Sequence, residues 1–116
     1  MDKFLLLIHE DMDKLKALPE EEFQDCIRLM TIWVEELAQN GNYVSADPLQ
    51  TIGRYVSKER VLSDGPFIEA KEAISGYFII RAENLDQAAS IAQNCPRVLN
   101  KIGSMEVRQI MELGDH

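Results

Sequence analysis

A chain of 116 residues holds one domain, here residues 1–116. Its 46% apolar and 28% charged residues describe a globular protein with a core of its own rather than a disordered one. A net charge of −8 with no basic stripe sets nucleic acid aside as an expected partner, because such a chain repels phosphate backbones. The imbalance is local. Residues 1–40 carry ten acids and four bases, and so hold −6 of the total. Two readings fit that bias, a solvated helix face and a docking surface for a cationic partner.

Residues 3–9 form a continuous apolar run of strand length. Its core, Phe4 to Ile8, is too short for the apolar region of a signal peptide and has acidic flanks. No stretch approaches the length of a membrane span. The expectation is a cytoplasmic protein with no membrane partner. Residues 10–19 are polar and end at Pro19. Glu20, Glu21 and Glu22 then place three carboxylates in the first turn of a predicted helix, where negative charge favours the dipole. Phe23, Cys26, Ile27, Met30, Val34, Leu37 and Ala38 recur at steps of three and four and predict one apolar helix face over 20–40. Trp33 falls at the margin of that stripe and is expected to pack into core or interface. Asn40-Gly41 supplies the stop.

Residues 43–46 read as a short strand closed by Asp47-Pro48, and 54–57 with 60–63 as a hairpin. Asp64-Gly65-Pro66 signals a turn, and 67–75 read as irregular. Gly76 opens a second apolar strand, Tyr77 to Ala82. Asn84 with Gln87 has the form of a capping box for a shorter helix carrying Ala88, Ile91, Ala92 and Cys95, which Pro96 ends. Val98, Leu99 and Ile102 suggest one further turn. A last strand is predicted over 105–113, with Met105, Val107 and Met111 on one face as core filler. Cys26 and Cys95 both read as buried small hydrophobes.

Two strand–helix–strand units in one antiparallel sheet make a ferredoxin-like α+β sandwich with two main helices. Helices cover one sheet face only. Yet Phe4 to Ile8 and Tyr77 to Ile80 are apolar at both alternating sets of positions. A second copy of the chain is the simplest cover for the other face, so a homodimer joined through sheet faces is expected.

The segment Ser63-Asp64-Gly65-Pro66-Phe67-Ile68-Glu69-Ala70-Lys71-Glu72 resembles the hallmark of the YCII-related proteins of the DGPF type. So do Gly76-Tyr77-Phe78-Ile79-Ile80, Leu85-Asp86-Gln87-Ala88, Cys95-Pro96, the opening Phe4-Leu5-Leu6-Leu7-Ile8 and the closing Met105-Glu106-Val107-Arg108. The resemblance implies a dimeric α/β barrel built from two ferredoxin-like protomers. It also implies a suspected catalytic histidine–aspartate pair. Relatives of the wider fold include lyases, isomerases and cofactor-free monooxygenases.

His9 and Asp64 are accordingly the candidate catalytic pair. His9 faces the side of Leu5 and Leu7, and Asp64 would orient one imidazole nitrogen while the other handles a proton. The alternative has Asp64 capping its own turn and His9 merely solvated. Glu69 and Lys71 are candidate ligand-binding residues, with Lys71 placed to bind a carboxylate or enolate oxygen; a surface ion pair is the plainer reading of this cluster. Tyr77 and Arg81 share one strand face and are expected either to hydrogen-bond a ligand in a cavity between sheet and helices or to bond across a dimer seam. Two histidines do not make a histidine-rich metal site, and no phosphate-binding glycine loop or nucleophile elbow occurs. The expected activity is cofactor-free acid–base chemistry on a small organic molecule, of the isomerase, lyase or hydrolase kind. The alternative is a non-catalytic dimeric ligand-binding or regulatory module.

Overall fold

The structure is a computed structural model, and it describes residues 1–50, 52–62 and 72–113. Four strands make the main sheet: β1 (Asp2–Asp11), β2 (Tyr43–Pro48), β5 (Glu72–Ala82) and β6 (Gly103–Gln109). They lie in the order β2-β5-β1-β6, and every neighbouring pair is antiparallel. Helices α2 (Glu20–Gln39) and α3 (Leu85–Gln93) pack on one face, with the short helices α1 (Met12–Lys16) and α4 (Pro96–Leu99). This is the ferredoxin-like α+β sandwich that the element order predicts. A two-stranded ladder, β3 (Tyr55–Val56) with β4 (Val61–Leu62), forms the expected hairpin and, among the described residues, joins no other strand.

Strand alternation sorts the side chains. Phe4, Leu6 and Ile8 of β1 and Phe78, Ile80 and Ala82 of β5 are buried under the helices. Leu5, Leu7 and His9, with Tyr77 and Ile79, turn to the opposite face and are only half-buried. Register confirms the sorting: Leu6 faces Phe78, and Leu7 faces Tyr77. Burying side chains the size of Phe4, Leu6 and Ile80 stabilises the sandwich by about 1.5–3 kcal/mol each.

Several local expectations need correction. Trp33 sits in the centre of the buried stripe of α2, not at its margin, and meets Phe78 edge to face with ring centroids 5.1 Å apart. Ile27 is 42% exposed in compensation, so the packed line runs Cys26, Met30, Trp33, Leu37. The polar stretch after β1 contains α1, because the Asp11 carboxylate caps it, accepting from the backbone N–H groups of Asp13 and Lys14. β1 runs on past His9 to Asp11, and β5 begins at Glu72 rather than Gly76. β6 ends at Gln109, which leaves Met111 68% exposed and outside the core. The capping box at α3 is present. Asn84 Oδ1 accepts from the Gln87 N–H at 2.8 Å, and Gln87 Oε1 reaches one residue further back than expected, to the Glu83 N–H at 2.6 Å. Pro96 opens α4 rather than only closing α3.

The register slips between Ile8 and His9, where β5 carries an extra residue, Ser75. A polar cluster braces this bulge on the helix side. Ser75 Oγ donates to Glu10 Oε1 at 2.6 Å, and Glu10 Oε2 lies 3.3 Å from Arg97 Nε, with both charged side chains nearly buried. Gly103 is also constrained there. A Cβ on it would come within 2.5 Å of the His9 carbonyl oxygen, far inside ordinary contact, so the close approach of β6 to β1 beside His9 requires glycine.

Candidate active site on the open sheet face

The bulge ends with His9 on the open face, directly beside Ile74 of β5 and Ser104 of β6. One row along, the ladder sets Asp47, Tyr77, Leu7 and Glu106 side by side across all four strands. The next row holds Ser45, Ile79, Leu5 and Arg108. Leucine and isoleucine thus floor the middle of the face, and hydrogen-bonding groups stand around them.

Two pairs of polar groups result. The Tyr77 hydroxyl donates to Asp47 Oδ2 at 2.6 Å. That hydrogen bond, and then the carboxylate's negative charge, hold the Tyr77 phenol above its ordinary pKa of 10.0. Tyr77 therefore stays protonated at neutral pH and offers its oxygen lone pairs to a donor on a ligand. His9 Nε2 lies 3.8 Å from Glu106 Oε1, beyond a direct hydrogen bond but within ion-pair range. Arg108 Nη1 bonds the other oxygen, Glu106 Oε2, at 3.3 Å. The imidazole is 22% exposed, so it is screened by the sheet yet reachable. His9 and Tyr77 lie on adjacent strands one diagonal apart, a separation of about 7–8 Å between such positions.

The structure brings His9 and Tyr77 together. It sets Arg81 at the far end of the same face. Four residues along a strand separate it from Tyr77, about 13 Å at strand rise. Arg81 stands instead beside Lys3, and its backbone is clamped at the sheet edge, N–H to the Asn42 carbonyl at 2.7 Å and C=O to Asn42 Nδ2 at 2.8 Å. Tyr77 and Arg81 do share a face, as their spacing implies, but it is the face turned away from the helices, so a ligand cavity between sheet and helices is not where they point. Asp64, Glu69 and Lys71 lie outside the described residues.

Asp47 and Glu106 are the members that the sequence reading passed over. In the sequence Asp47 reads as part of a strand-ending Asp-Pro pair. Glu106 had a usable signal: Met105 and Val107 face the core, so period two places Glu106 and Arg108 on the other side, with His9. Among the described residues, no group of three or more His, Cys, Asp or Glu side chains is placed to hold a metal ion. Cys26 and Cys95 are buried free thiols, and burial raises the Cys95 pKa. Among the described residues, no helix is long and apolar enough to cross a membrane.

Comparison with known proteins agrees with the fold. A solved structure, the 5-chloro-2-hydroxyhydroquinone dehydrochlorinase TftG of Burkholderia phenoliruptrix AC1100 in complex with 2,5-dihydroxybenzoquinone, superposes with a TM-score of 0.60. The match covers 95% of this chain and 94% of that one at 16% sequence identity, which shows a shared fold. An uncharacterized protein of Rhizobium meliloti (strain 1021) is 27% identical over 118 residues, covering 92% of this chain and 90% of its own. Residues 3–114 match the YCII-related domain, and with nearly the whole chain inside that match the protein belongs to the YCII-related family.

Proposed function

We propose that this protein binds a small, hydroxyl-bearing organic molecule on the open sheet face and transforms it by acid–base chemistry. The observation that carries the reading is the convergence of two hydrogen-bonded or ion-paired couples, Tyr77–Asp47 and His9–Glu106, over a half-buried apolar floor of Leu5, Leu7 and Ile79. An apolar ring fits the floor. Hydroxyl groups on it would donate to Asp47 or to the Tyr77 oxygen, and His9 would take up or return a proton. The similar dehydrochlorinase, crystallised with 2,5-dihydroxybenzoquinone, supports a ring of that kind as the first probe.

In this reading Glu106 orients His9, a role that the sequence offered to Asp64. Lys71 and Glu69 would add ligand-binding groups. The face is completed by a second copy of the chain, since the helices leave Leu5, Leu7 and Ile79 uncovered. Two free, buried cysteines suit a reducing cytoplasm. We assign the chain to the DGPF type within its family on the residues of its Asp64-Gly65-Pro66-Phe67 segment.

Thermal-shift titration with 2,5-dihydroxybenzoquinone tests the site. The unsubstituted protein should be stabilised, and His9→Ala and Tyr77→Phe should lose most of the shift. Equal shifts in all three proteins would refute the site. Comparing Glu106→Gln with Asp64→Asn decides which carboxylate serves His9.

A further inference from the structure

The β3–β4 hairpin stands apart from the packed sandwich. Every side chain described between Ile52 and Val61 is exposed, including Ile52 at 77%, Val56 at 67% and Val61 at 59%. The ladder is two residues long and, among the described residues, pairs with no strand of the main sheet. A two-stranded hairpin of this kind is at best marginally stable in water without something to pack on.

A complementary surface exists elsewhere on the molecule. The N-terminal half of α2 borders a groove of about 320 Å³. Its floor is apolar, from Leu18, Cys26, Leu29 and Ile102, while Glu22 and Asp25 stand exposed at its edge. Asp25 has a loose surface partner in Arg28 at 3.6 Å. Glu20 and Glu21 extend the acidic field. The hairpin has the opposite character. Residues 52–62 carry Arg54, Lys58 and Arg60 against the single acid Glu59, in a protein whose net charge is −8.

We propose that the hairpin is a docking arm, and that the Val56–Val61 side of one copy seats in the acid-edged apolar groove of a second copy, with Arg54, Lys58 and Arg60 facing Glu22 and its acidic neighbours. Arm and groove are unlike surfaces, so the contact closes either by reciprocal exchange within a dimer or as a ring. It is separate from the open sheet face, and stands or falls independently of the ligand site there. The association is steered by charge and weakens with salt.

A chain carrying Val56→Cys and Glu22→Cys, oxidised and run without reductant, reads the contact directly, with the unsubstituted protein and its buried Cys26 and Cys95 as the blank. Disulfide-linked dimers or larger species absent from the blank are expected. A link within one chain, or no link at all, would overturn the proposal. Charge reversal supplies the second arm of the test. Arg54→Glu, Lys58→Glu and Arg60→Glu together alter only exposed positions, and should cut the cross-linked fraction about tenfold at low salt, the scale on which complementary interfacial charge acts. Adding Glu22→Lys and Asp25→Lys to that chain, each tested in its cysteine-bearing form with the second cysteine moved to Glu21, should restore it. Failure of the reversed pair to recover the link would contradict the pairing of these two surfaces.

Discussion

The two faces of the sheet are built from the same strands by alternate residues, and they are held by different physics. On the helix side Phe4, Leu6, Ile80 and Cys95 are fully buried, and a charged cluster, Glu10 with Ser75 and Arg97, is nearly sealed from water. On the other side Leu5, Leu7 and Ile79 are half-covered, and the polar groups keep an open aspect. His9 and Glu10 are sequence neighbours, yet one turns an imidazole to the open face and the other is held against Arg97 of α4. A closed face supplies stability. An open one of the same composition can afford hydrogen-bonding groups because they remain wet until something binds. The Ser75 bulge joins the two, since the helix-side brace on Glu10 lies where the register slip sets the direction of His9.

The sharpest way to break this contrast is to truncate adjacent leucines. Leu6→Ala should cost about 3 kcal/mol in denaturant-induced unfolding, because a fully buried leucine leaves a cavity. At dilute protein Leu7→Ala should cost no more than half as much; equal losses would mean that the open face is sealed as tightly as the closed one. Arg97→Met should destabilise by about 3 kcal/mol, since it strands the Glu10 carboxylate without its buried partner. Adding Glu10→Gln to that variant should recover a measurable part of the loss, and simple additivity of the two changes would show that they do not act as a pair.

A smaller effect is expected at Gly103, where alanine must push the His9 backbone aside, at a cost of about 1–3 kcal/mol. The accompanying change in the His9 ring resonances would show the displacement reaching the open face. Their constancy would place the strain elsewhere. The gentlest change is spectroscopic. In an ultraviolet titration Tyr77 should ionise above the ordinary tyrosine range, and Asp47→Asn should bring it down toward 10.0. The sign follows from the bond. A phenol whose folded pKa is raised contributes its stabilisation in full below the unfolded value, and loses it as pH rises through the folded value. The contribution is therefore intact at neutral pH and fades only in strong alkali.

Much of the architecture was legible because period and punctuation are local. The long helix, its Asn40-Gly41 stop, the Asn84 cap and the two-sided apolar strands all follow from neighbouring residues. So did the placement of His9 with Leu5 and Leu7 and of Tyr77 with Arg81. What escaped depends on partners far along the chain. Trp33 is central because Phe78 waits opposite it, which a helical wheel does not show. The face of Glu106 follows from the alternation of Met105 and Val107, but its pairing with Leu7, like that of Asp47 with Tyr77, rests on edge-strand register that no local pattern reveals. Arg81 drops out of the Tyr77 group for a simpler reason, because strand rise alone carries it too far away.

The central claim is that the open sheet face is where this protein meets its small molecule. Amide-resolved NMR during titration with 2,5-dihydroxybenzoquinone measures that directly. The account predicts shifts concentrated at Leu5, Leu7, His9, Tyr77 and Glu106, with α2 and α3 unmoved. Shifts confined to the helices or to the hairpin, or a spectrum that does not change, would contradict it.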